Sequence, residues 1–165
     1  MRWPRFGAHY SRNNMISLRL ANLGDAELMF SWVNDPKVRK NSFQQAYISF
    51  DQHIDWFRKR LIDVNTTIVI LEQNDLAIGQ IRFDVNNLQV AIDYSIDRSY
   101  RGKGFGKMLI EKGIDFFRKK NPEENFEFNA IVKKTNVASI KVFENIGFRK
   151  QNLNSSSYLY LLQVK

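Results

Sequence analysis

Cysteine is absent from this 165-residue chain, which has only two histidines and three prolines. Without cysteine there is no disulfide, no thiolate nucleophile and no thiolate metal ligand. Imidazole comes from His9 and His53 alone, so we expect no metal site. No apolar run approaches the roughly twenty residues that cross a bilayer, and the polar, basic segment 1–14 has no apolar core of a secretory signal. We therefore expect no membrane insertion.

The composition is that of one folded domain. Hydrophobic residues make up 44% and aromatic residues 13% of the chain, which excludes a mainly disordered protein. Residues 1–14 contain Arg2, Arg5 and Arg12 and no acid, so we interpret them as a flexible basic leader, followed by a single domain over residues 15–165. The net charge of +8 suits polyanionic small molecules as well as nucleic acid. Because the basic residues are interspersed with acids, we expect no nucleic-acid partner.

A glycine-rich segment, residues 100–107, stands between a strand-like run at 90–96 and an amphipathic run at 108–117. Glycines let a backbone approach a phosphate closely, and the first N–H groups of a helix lack intrahelical partners. Basic side chains add positive charge at the same place: Arg101, Lys103 and Lys107. The segment therefore predicts a site for a pyrophosphate.

The spacing of the glycines decides which kind of pyrophosphate loop this is. A P-loop ends in Gly-Lys-Ser/Thr and a Rossmann loop needs Gly-x-Gly-x-x-Gly, and neither pattern is present here. The chain instead has Arg-x-x-Gly-x-Gly, carried by Arg101, Gly104 and Gly106. This pattern resembles the acyl-CoA loop of the GNAT N-acetyltransferase superfamily. By itself, such a loop also fits a simple helix cap.

A second segment, residues 136–148, strengthens the resemblance. Its sequence resembles the GNAT pattern Asn-x-x-Ser-x-x-x-Tyr/Phe-Glu-x-x-Gly-Phe, beginning at Asn136. The resemblance implies that acetyl-CoA is the cosubstrate and that Asn136 touches its pantetheine arm. On this basis, the residues expected to bind acetyl-CoA are Ser95, Ile96, Arg101, Gly102, Lys103, Gly104, Phe105, Gly106, Lys107, Asn136, Ser139 and Phe143.

The order of elements agrees with the α/β (α+β) GNAT fold. Apolar patterning and turn residues predict strands near 16–20, 66–72, 77–85, 88–96, 126–132, 148–151 and 158–164. The same signals predict helices over 26–34, from 49 to about 62, through 108–117 and from about 138, with a looser stretch at 37–47. The resemblance implies a mostly antiparallel mixed sheet, flanked by helices, in which one parallel strand pair splays apart to admit the pantetheine arm.

The chemistry implied by the resemblance is direct attack of a free amine on the thioester, with the oxyanion stabilised by a strand N–H. Three residues are candidates for the catalytic base or acid: Asp93, His53 and Tyr94. Many relatives carry Glu where Ala91 stands, and many carry Tyr, which protonates the leaving thiolate, where Phe143 stands. These departures leave open whether water or another residue fills each role.

The acceptor is indicated by the first half of the chain. Trp32 and Trp56 are candidates for stacking on a sugar or base, although both also fit a role in the core. Arg39 is a candidate for holding a phosphate, and Asn34 is a further candidate for binding the substrate. The set resembles the GNAT branch that acetylates amino groups of nucleotide-activated deoxysugars for surface glycans. That resemblance implies a small-molecule amine acceptor, and membership of a family that often dimerises implies a possible homodimer. We expect a cytoplasmic location, because acetyl-CoA is available there.

Two other functions fit the same sequence. The Trp-x-Asn-Asp-x-x-x-Arg pattern also occurs in acetyltransferases of ribosomal-protein N-termini and of aminoglycosides. Such cationic acceptors predict an acidic cleft, for which the chain offers Asp35, Asp51 and Asp55. A binding protein that has the fold but no catalysis is the remaining alternative, and the intact glycines and Asn136 argue against it.

Overall fold

The computed structural model describes residues 15–164 of the chain. The predicted basic leader, residues 1–14, lies outside the described residues. One mixed sheet contains seven strands in the order β1-β2-β3-β4-β5-β7-β6. The strands are β1 (Ile16–Leu20), β2 (Thr66–Gln73), β3 (Leu76–Asn86), β4 (Gln89–Ile96), β5 (Glu127–Lys133), β6 (Arg149–Asn152) and β7 (Ser157–Gln163).

Five α-helices flank the sheet in the described part of the chain. They are α1 (Ala26–Val33), α2 (Pro36–Asn41), α3 (Phe50–Ile62), α4 (Phe105–Lys120) and α5 (Val137–Ile146). The predicted capping box starts α3, since the Ser49 side chain accepts from the Gln52 N–H and the Gln52 side chain accepts from the Ser49 N–H. Gly147, at φ +99°, ends α5 in the left-handed conformation that glycine favours.

Helix α2 was missed by the sequence reading, which placed a looser stretch over residues 37–47. Asp35 and Pro36 lie between the predicted helix over 26–34 and this stretch. In the structure the Asp35 side chain accepts from the N–H groups of Lys37 and Val38, and Pro36 occupies the first helical turn. Proline is well suited to that position because its missing N–H would have no intrahelical partner there. The dipeptide therefore starts a helix.

The parallel strand pair positions the site. β4 and β5 pair only from Gln89↔Glu127 to Ala91↔Asn129, although both strands continue for several residues. All other neighbouring strands are antiparallel. The predicted mostly antiparallel sheet with one splayed parallel pair is therefore confirmed, and the gap between β4 and β5 opens a cleft.

Apolar packing holds the two faces of the sheet. On one face, α4 and α5 cover a core that includes Phe83, Phe117 and Phe128. On the other face, α1 and α3 cover a smaller cluster around Phe57 and Ile70. Within residues 15–164, no helix is long and apolar enough to span a membrane.

Candidate active site

A cleft of about 800 Å³ lies at the splay. Its walls are the diverging ends of β4 and β5, the N-terminal turns of α4 and α5, and the α2 end with the residues just after it. Most of the predicted cofactor-binding residues line it: Ser95, Ile96, Arg101, Gly102, Gly104, Gly106, Lys107, Asn136, Ser139 and Phe143. The structure thus brings together two segments that are about thirty residues apart in sequence.

The glycine loop forms an open cradle at the start of α4. Gly102 and Gly104 have φ values of +74° and +84°, and a Cβ built on either would meet nothing within 4 Å. Gly104 is the N-cap, so no side chain caps the first amides of α4. Those N–H groups and the positive end of the helix dipole suit an anion. The cradle therefore fits the pyrophosphate of acetyl-CoA.

Arg101 ties this cradle to the acceptor half of the protein. Its Nε donates to the Ile96 carbonyl at 2.9 Å, and its Nη2 lies 2.9 Å from Asp35 Oδ1 at the α2 N-cap. Although burial opposes it, hydrogen bonds from Arg101 and from the Val38 N–H leave the pKa of Asp35 below its usual range. Asp35 is thus an internal partner of the cofactor loop.

Two predicted cofactor residues do not line the cleft. The Lys103 ammonium donates to the Ser99 carbonyl at 2.9 Å and lies over the Tyr100 ring. Phe105 packs edge-on against the same ring. Both side chains pack within the loop, and neither points into the cleft lining. By contrast, Lys107 lines the cleft as expected.

A polar chain joins β4 to α5. Asn136 Nδ2 donates to Ser139 Oγ at 3.0 Å, and Ser139 Oγ and the Tyr94 hydroxyl are 3.1 Å apart. A Cβ on Gly106 would lie 3.4 Å from the Tyr94 ring, so the tyrosine fills the space between the N-terminal ends of the two helices. Burial raises the pKa of Tyr94, which keeps the hydroxyl protonated and unsuited to act as a base.

We expect Tyr94→Phe to lower the free energy of unfolding by about 0.5–1.5 kcal/mol, the usual value of one internal hydrogen bond. Because Tyr94 supports α5 in this account, the pH profile of kcat/KM should keep its shape. Denaturant unfolding and steady-state rates from pH 6 to 9 measure the two effects. A pH profile that loses one limb in the variant would give Tyr94 the catalytic role that the sequence also suggested.

Phe143 is 2% exposed and forms an apolar part of the cleft wall. It stacks on Tyr160, with ring centroids 5.4 Å apart, and meets Phe148 edge-on. A phenylalanine has no proton to donate to a thiolate. The Tyr160 hydroxyl points to Glu144, at 3.4 Å, and does not line the cleft.

Asp93 is the catalytic candidate that lines the cleft with an exposed carboxylate. Its side chain is 59% exposed, and its Oδ2 lies 3.3 Å from Arg82 Nη2. Within the described residues, no hydrogen bond to Asp93 Oδ1 is found, so this oxygen is available to an acceptor. Asp93 therefore presents a carboxylate oxygen to the cleft.

The structure corrects the expectation that Trp32 stacks on the acceptor. Trp32 is 5% exposed and belongs to the core under α1 and α3, and its indole N–H donates to Asp97 at 3.0 Å. Trp56 is partly buried against the same core and holds the Arg82 guanidinium over its ring. Neither tryptophan lines the cleft.

Arg39 and Asn34 hold the segment between α2 and α3 in place through hydrogen bonds. The Arg39 guanidinium donates to Val33 and Gln44 carbonyls and to the Ser42 hydroxyl. Asn34 exchanges two hydrogen bonds with the backbone of Ile48, at 2.9 and 3.0 Å. These contacts, together with the absence of Arg39 from the cleft lining, correct the expectation that Arg39 holds a phosphate, because most of its donors are used within its own segment.

His53 is likewise corrected as a candidate base. It is 2% exposed, its Nε2 lies 3.0 Å from the Ala26 carbonyl, and its ring stacks on Phe57. It does not line the cleft. Burial lowers its pKa in the folded protein.

This shift predicts a pH-dependent stability. Between the folded pKa and the unfolded value of about 6.5, the unfolded chain binds more protons, so stability rises with pH. The contribution is fully present above about pH 6.5 and is lost as the pH falls through that window. We expect His53→Gln to flatten this part of the curve of unfolding free energy against pH. An unchanged slope would contradict the burial of a neutral imidazole.

The cleft also contains residues that the sequence did not predict, among them Phe43, Lys133, Arg82 and Asp84. Phe43, 59% exposed, and Lys133 meet at its mouth, where the Lys133 ammonium lies over the Phe43 ring and donates to the Lys40 and Ser42 carbonyls. Arg82 and Asp84 lie beside Asp93. The period-2 pattern of β3 puts Arg82 and Asp84 on one face, and this was the available signal. Within residues 15–164, no three metal-ligating side chains are grouped.

The fold and the cradle together define a CoA-binding acyltransferase, and comparison with known proteins agrees. The family described as acetyltransferase (GNAT) domain matches residues 16–149, so the chain belongs to this family. It is similar to the uncharacterized N-acetyltransferase p20 of Bacillus licheniformis, with 28% identity covering 84% of this chain and 81% of that protein. It is also similar to acetyltransferase PseH of Campylobacter jejuni, with 28% identity covering 77% of this chain and 78% of that protein.

A solved structure shows the same fold. Spermidine N-acetyltransferase from Vibrio cholerae, in complex with CoA and spermine, superposes with a TM-score of 0.79, covering 90% of this chain and 95% of that chain at 18% identity. Family membership makes this protein an acyl-CoA-dependent N-acetyltransferase that uses acetyl-CoA. These relatives identify the cosubstrate and the type of reaction but not the acceptor.

Proposed function

We propose that the protein transfers the acetyl group of acetyl-CoA to the amino group of a nucleotide-linked amino-deoxysugar used in surface glycans. The observation that carries this proposal is the charge of the cleft. Six basic residues line it against two acidic ones. The basic residues are Lys37, Arg82, Arg101, Lys107, Lys133 and Lys141, and the acidic ones are Asp84 and Asp93.

This balance favours an acceptor that brings its own negative charge. Arg101 and Lys107 lie at the cradle, where the CoA pyrophosphate uses positive charge. Lys37 and Lys133 lie on the α2 side of the cleft, beyond the cradle. A nucleotide-linked sugar carries a diphosphate, which complements cations on that second side. The exposed Phe43 ring beside Lys133 adds an apolar surface there.

The structure gives little support to a cationic acceptor. Asp35 is paired with Arg101, while Asp51 and Asp55 lie exposed on α3 and do not line the cleft. The two carboxylates that do line it both contact Arg82. Each carboxylate of the cleft therefore already has an arginine partner, which weakens its attraction for an aminoglycoside or a peptide N-terminus.

In the proposed reaction, acetyl-CoA supplies the acetyl group as an activated thioester. The acceptor ammonium first loses a proton to Asp93, directly or through one water, because only the free amine has a lone pair. Attack of the amine on the carbonyl carbon forms the N–C bond, and the thioester C–S bond breaks. The nitrogen releases its second proton to solvent, and the departing thiolate takes up a proton from solvent. Holding both reactants in one cleft supplies much of the rate, on the order of 7–11 kcal/mol where alignment is good.

Three further expectations accompany this function. We place the enzyme in the cytoplasm, because acetyl-CoA and nucleotide sugars are both found there. That residues 15–165 form one domain stays a prediction. That the protein assembles as a homodimer is also a prediction, and size-exclusion chromatography with light scattering tests it.

A thiol-release assay with acetyl-CoA and a panel of acceptors tests the proposal. The panel contains a UDP-linked 4-amino-4,6-dideoxysugar, a peptide with a free N-terminus, an aminoglycoside and spermidine. We expect the largest kcat/KM on the nucleotide sugar and none on the same sugar already N-acetylated, which is the matched control. Faster turnover of any cationic acceptor would overturn the proposal and leave the acetyl-CoA assignment in place.

A further inference from the structure

Three charged side chains form a compact row on the cleft floor. Arg82 and Asp84 are two residues apart on β3 and therefore share a face of the sheet. Asp93 is the register partner of Arg82 on β4. All three residues line the cleft, with the arginine lying between the two carboxylates.

Arg82 is held in this position by three contacts. Its Nε lies 2.7 Å from Asp84 Oδ2 and its Nη2 lies 3.3 Å from Asp93 Oδ2. Its guanidinium carbon is 5.3 Å from the centre of the Trp56 ring, over the ring face. The side chain is 21% exposed, so burial and contacts restrict its movement.

Arg82 is the main cation that balances the negative charge of Asp84 and Asp93 on the cleft floor. Arg60 also approaches Asp84, at 3.7 Å, but shares its guanidinium with Asp63 at 3.3 Å. Asp93 has Arg82 as its single ion-pair partner in the part of the chain that the structure describes. Without Arg82, therefore, Asp93 would lose its ion-pair partner and keep only the more distant charge of Arg39, with the Asp84 carboxylate nearby.

We propose that Arg82 is a specificity-determining residue that masks this acidic pair and so keeps cationic polyamines out of the acceptor site. The inference rests on the proposed function, in which the acceptor carries negative charge. Removing the arginine uncovers two carboxylates at the position where an acceptor amine passes. Complementary charge raises the capture of a charged partner, and like charge discriminates against it.

The test compares Arg82→Gln with wild-type enzyme on spermidine and on the nucleotide sugar. We expect kcat/KM for spermidine to rise about tenfold, which corresponds to about 1.4 kcal/mol, mainly through a lower KM. The gain should shrink as salt is raised, because exposed charges are screened. Calorimetric binding of spermidine to the CoA complex should show the same change.

Two variants control for charge and for structure. Arg58→Gln removes the same charge from an exposed position on α3 that does not line the cleft, and should bind spermidine like the wild type. Arg82→Lys keeps the masking cation and should restore most of the exclusion. If Arg82→Gln does not fold, Arg82→Met retains the apolar stem on Trp56 and answers the same question.

The outcomes separate this inference from the proposed function. If wild-type enzyme acetylates the nucleotide sugar and Arg82→Gln gains no spermidine binding or turnover, the masking role is wrong and the function stands. Equal gains in Arg82→Gln and Arg58→Gln would also overturn it, since net charge alone would explain them. Wild-type enzyme that prefers spermidine would contradict the proposed function, and the masking role with it.

Discussion

Gly104→Val is expected to abolish effective binding of acetyl-CoA. Gly104 has φ +84° at the N-cap of α4, and a Cβ there meets no protein atom within 4 Å. The valine side chain would instead occupy the open cradle where the pyrophosphate binds. Losing two hydrogen bonds to a charged group, at about 1.5–3 kcal/mol each, raises the KM for acetyl-CoA by at least about 100-fold.

Gly147→Val is the matched control for this substitution. Gly147 also has a positive φ, +99°, and open space around its Cβ, but it does not line the cleft. Both variants should lose about 1–3 kcal/mol of stability through backbone strain. Only Gly104→Val should lose the rise in melting temperature that acetyl-CoA gives. Equal loss of ligand protection in both would show that strain, and not the cradle, is responsible.

Asp93→Asn is expected to lower kcat by about 10²–10⁴-fold, the usual contribution of a general base. The amide keeps the size of the side chain but accepts no proton from the acceptor. In the proposed function Asp93 acts on the acceptor amine, so the KM for acetyl-CoA should stay within about twofold of wild type, as expected for a group that acts on the chemical step. Steady-state kinetics with both substrates varied measures the two quantities.

Asp115→Asn serves as the control, since Asp115 is exposed on α4 and lies outside the cleft. It should leave kcat unchanged. If Asp93→Asn retains near-normal kcat at neutral pH, then solvent removes the proton and Asp93 only positions the acceptor. A raised KM for the acceptor with unchanged kcat would identify that positioning role.

The fold was predictable because its signals are local. Turn residues placed the β2–β3 hairpin, where Asn74 and Asp75 adopt positive φ as such turns require. The glycine loop and the Asn136 segment predicted the cofactor half, since both depend on backbone conformation at fixed spacing. The splay of β4 and β5 was predicted only from the family resemblance. Hydrophobic periodicity predicts which face of a sheet a residue lies on, but it does not predict over how many residues two strands pair.

The acceptor half was less predictable because it depends on packing. From sequence, a tryptophan on a helix can either pack in the core or bind a ligand. The hydrogen bond from the Trp32 indole N–H to Asp97 shows that this side chain points into the protein. The sequence predicted that Arg39 binds a phosphate, but its guanidinium donates to the backbone carbonyls of Val33 and Gln44. The role of Arg82 requires the β3–β4 register that brings it to Asp93, and register is a long-range property.

One measurement tests the central claim most directly: the fate of acetyl-CoA labelled with ¹³C at the acetyl carbonyl, followed by NMR. The enzyme is mixed with this cosubstrate and a UDP-linked 4-amino-4,6-dideoxysugar. We expect the thioester carbonyl signal to disappear as an amide carbonyl signal appears in equal amount. A thioester signal that persists, or that converts to free acetate or to an ester, would contradict it.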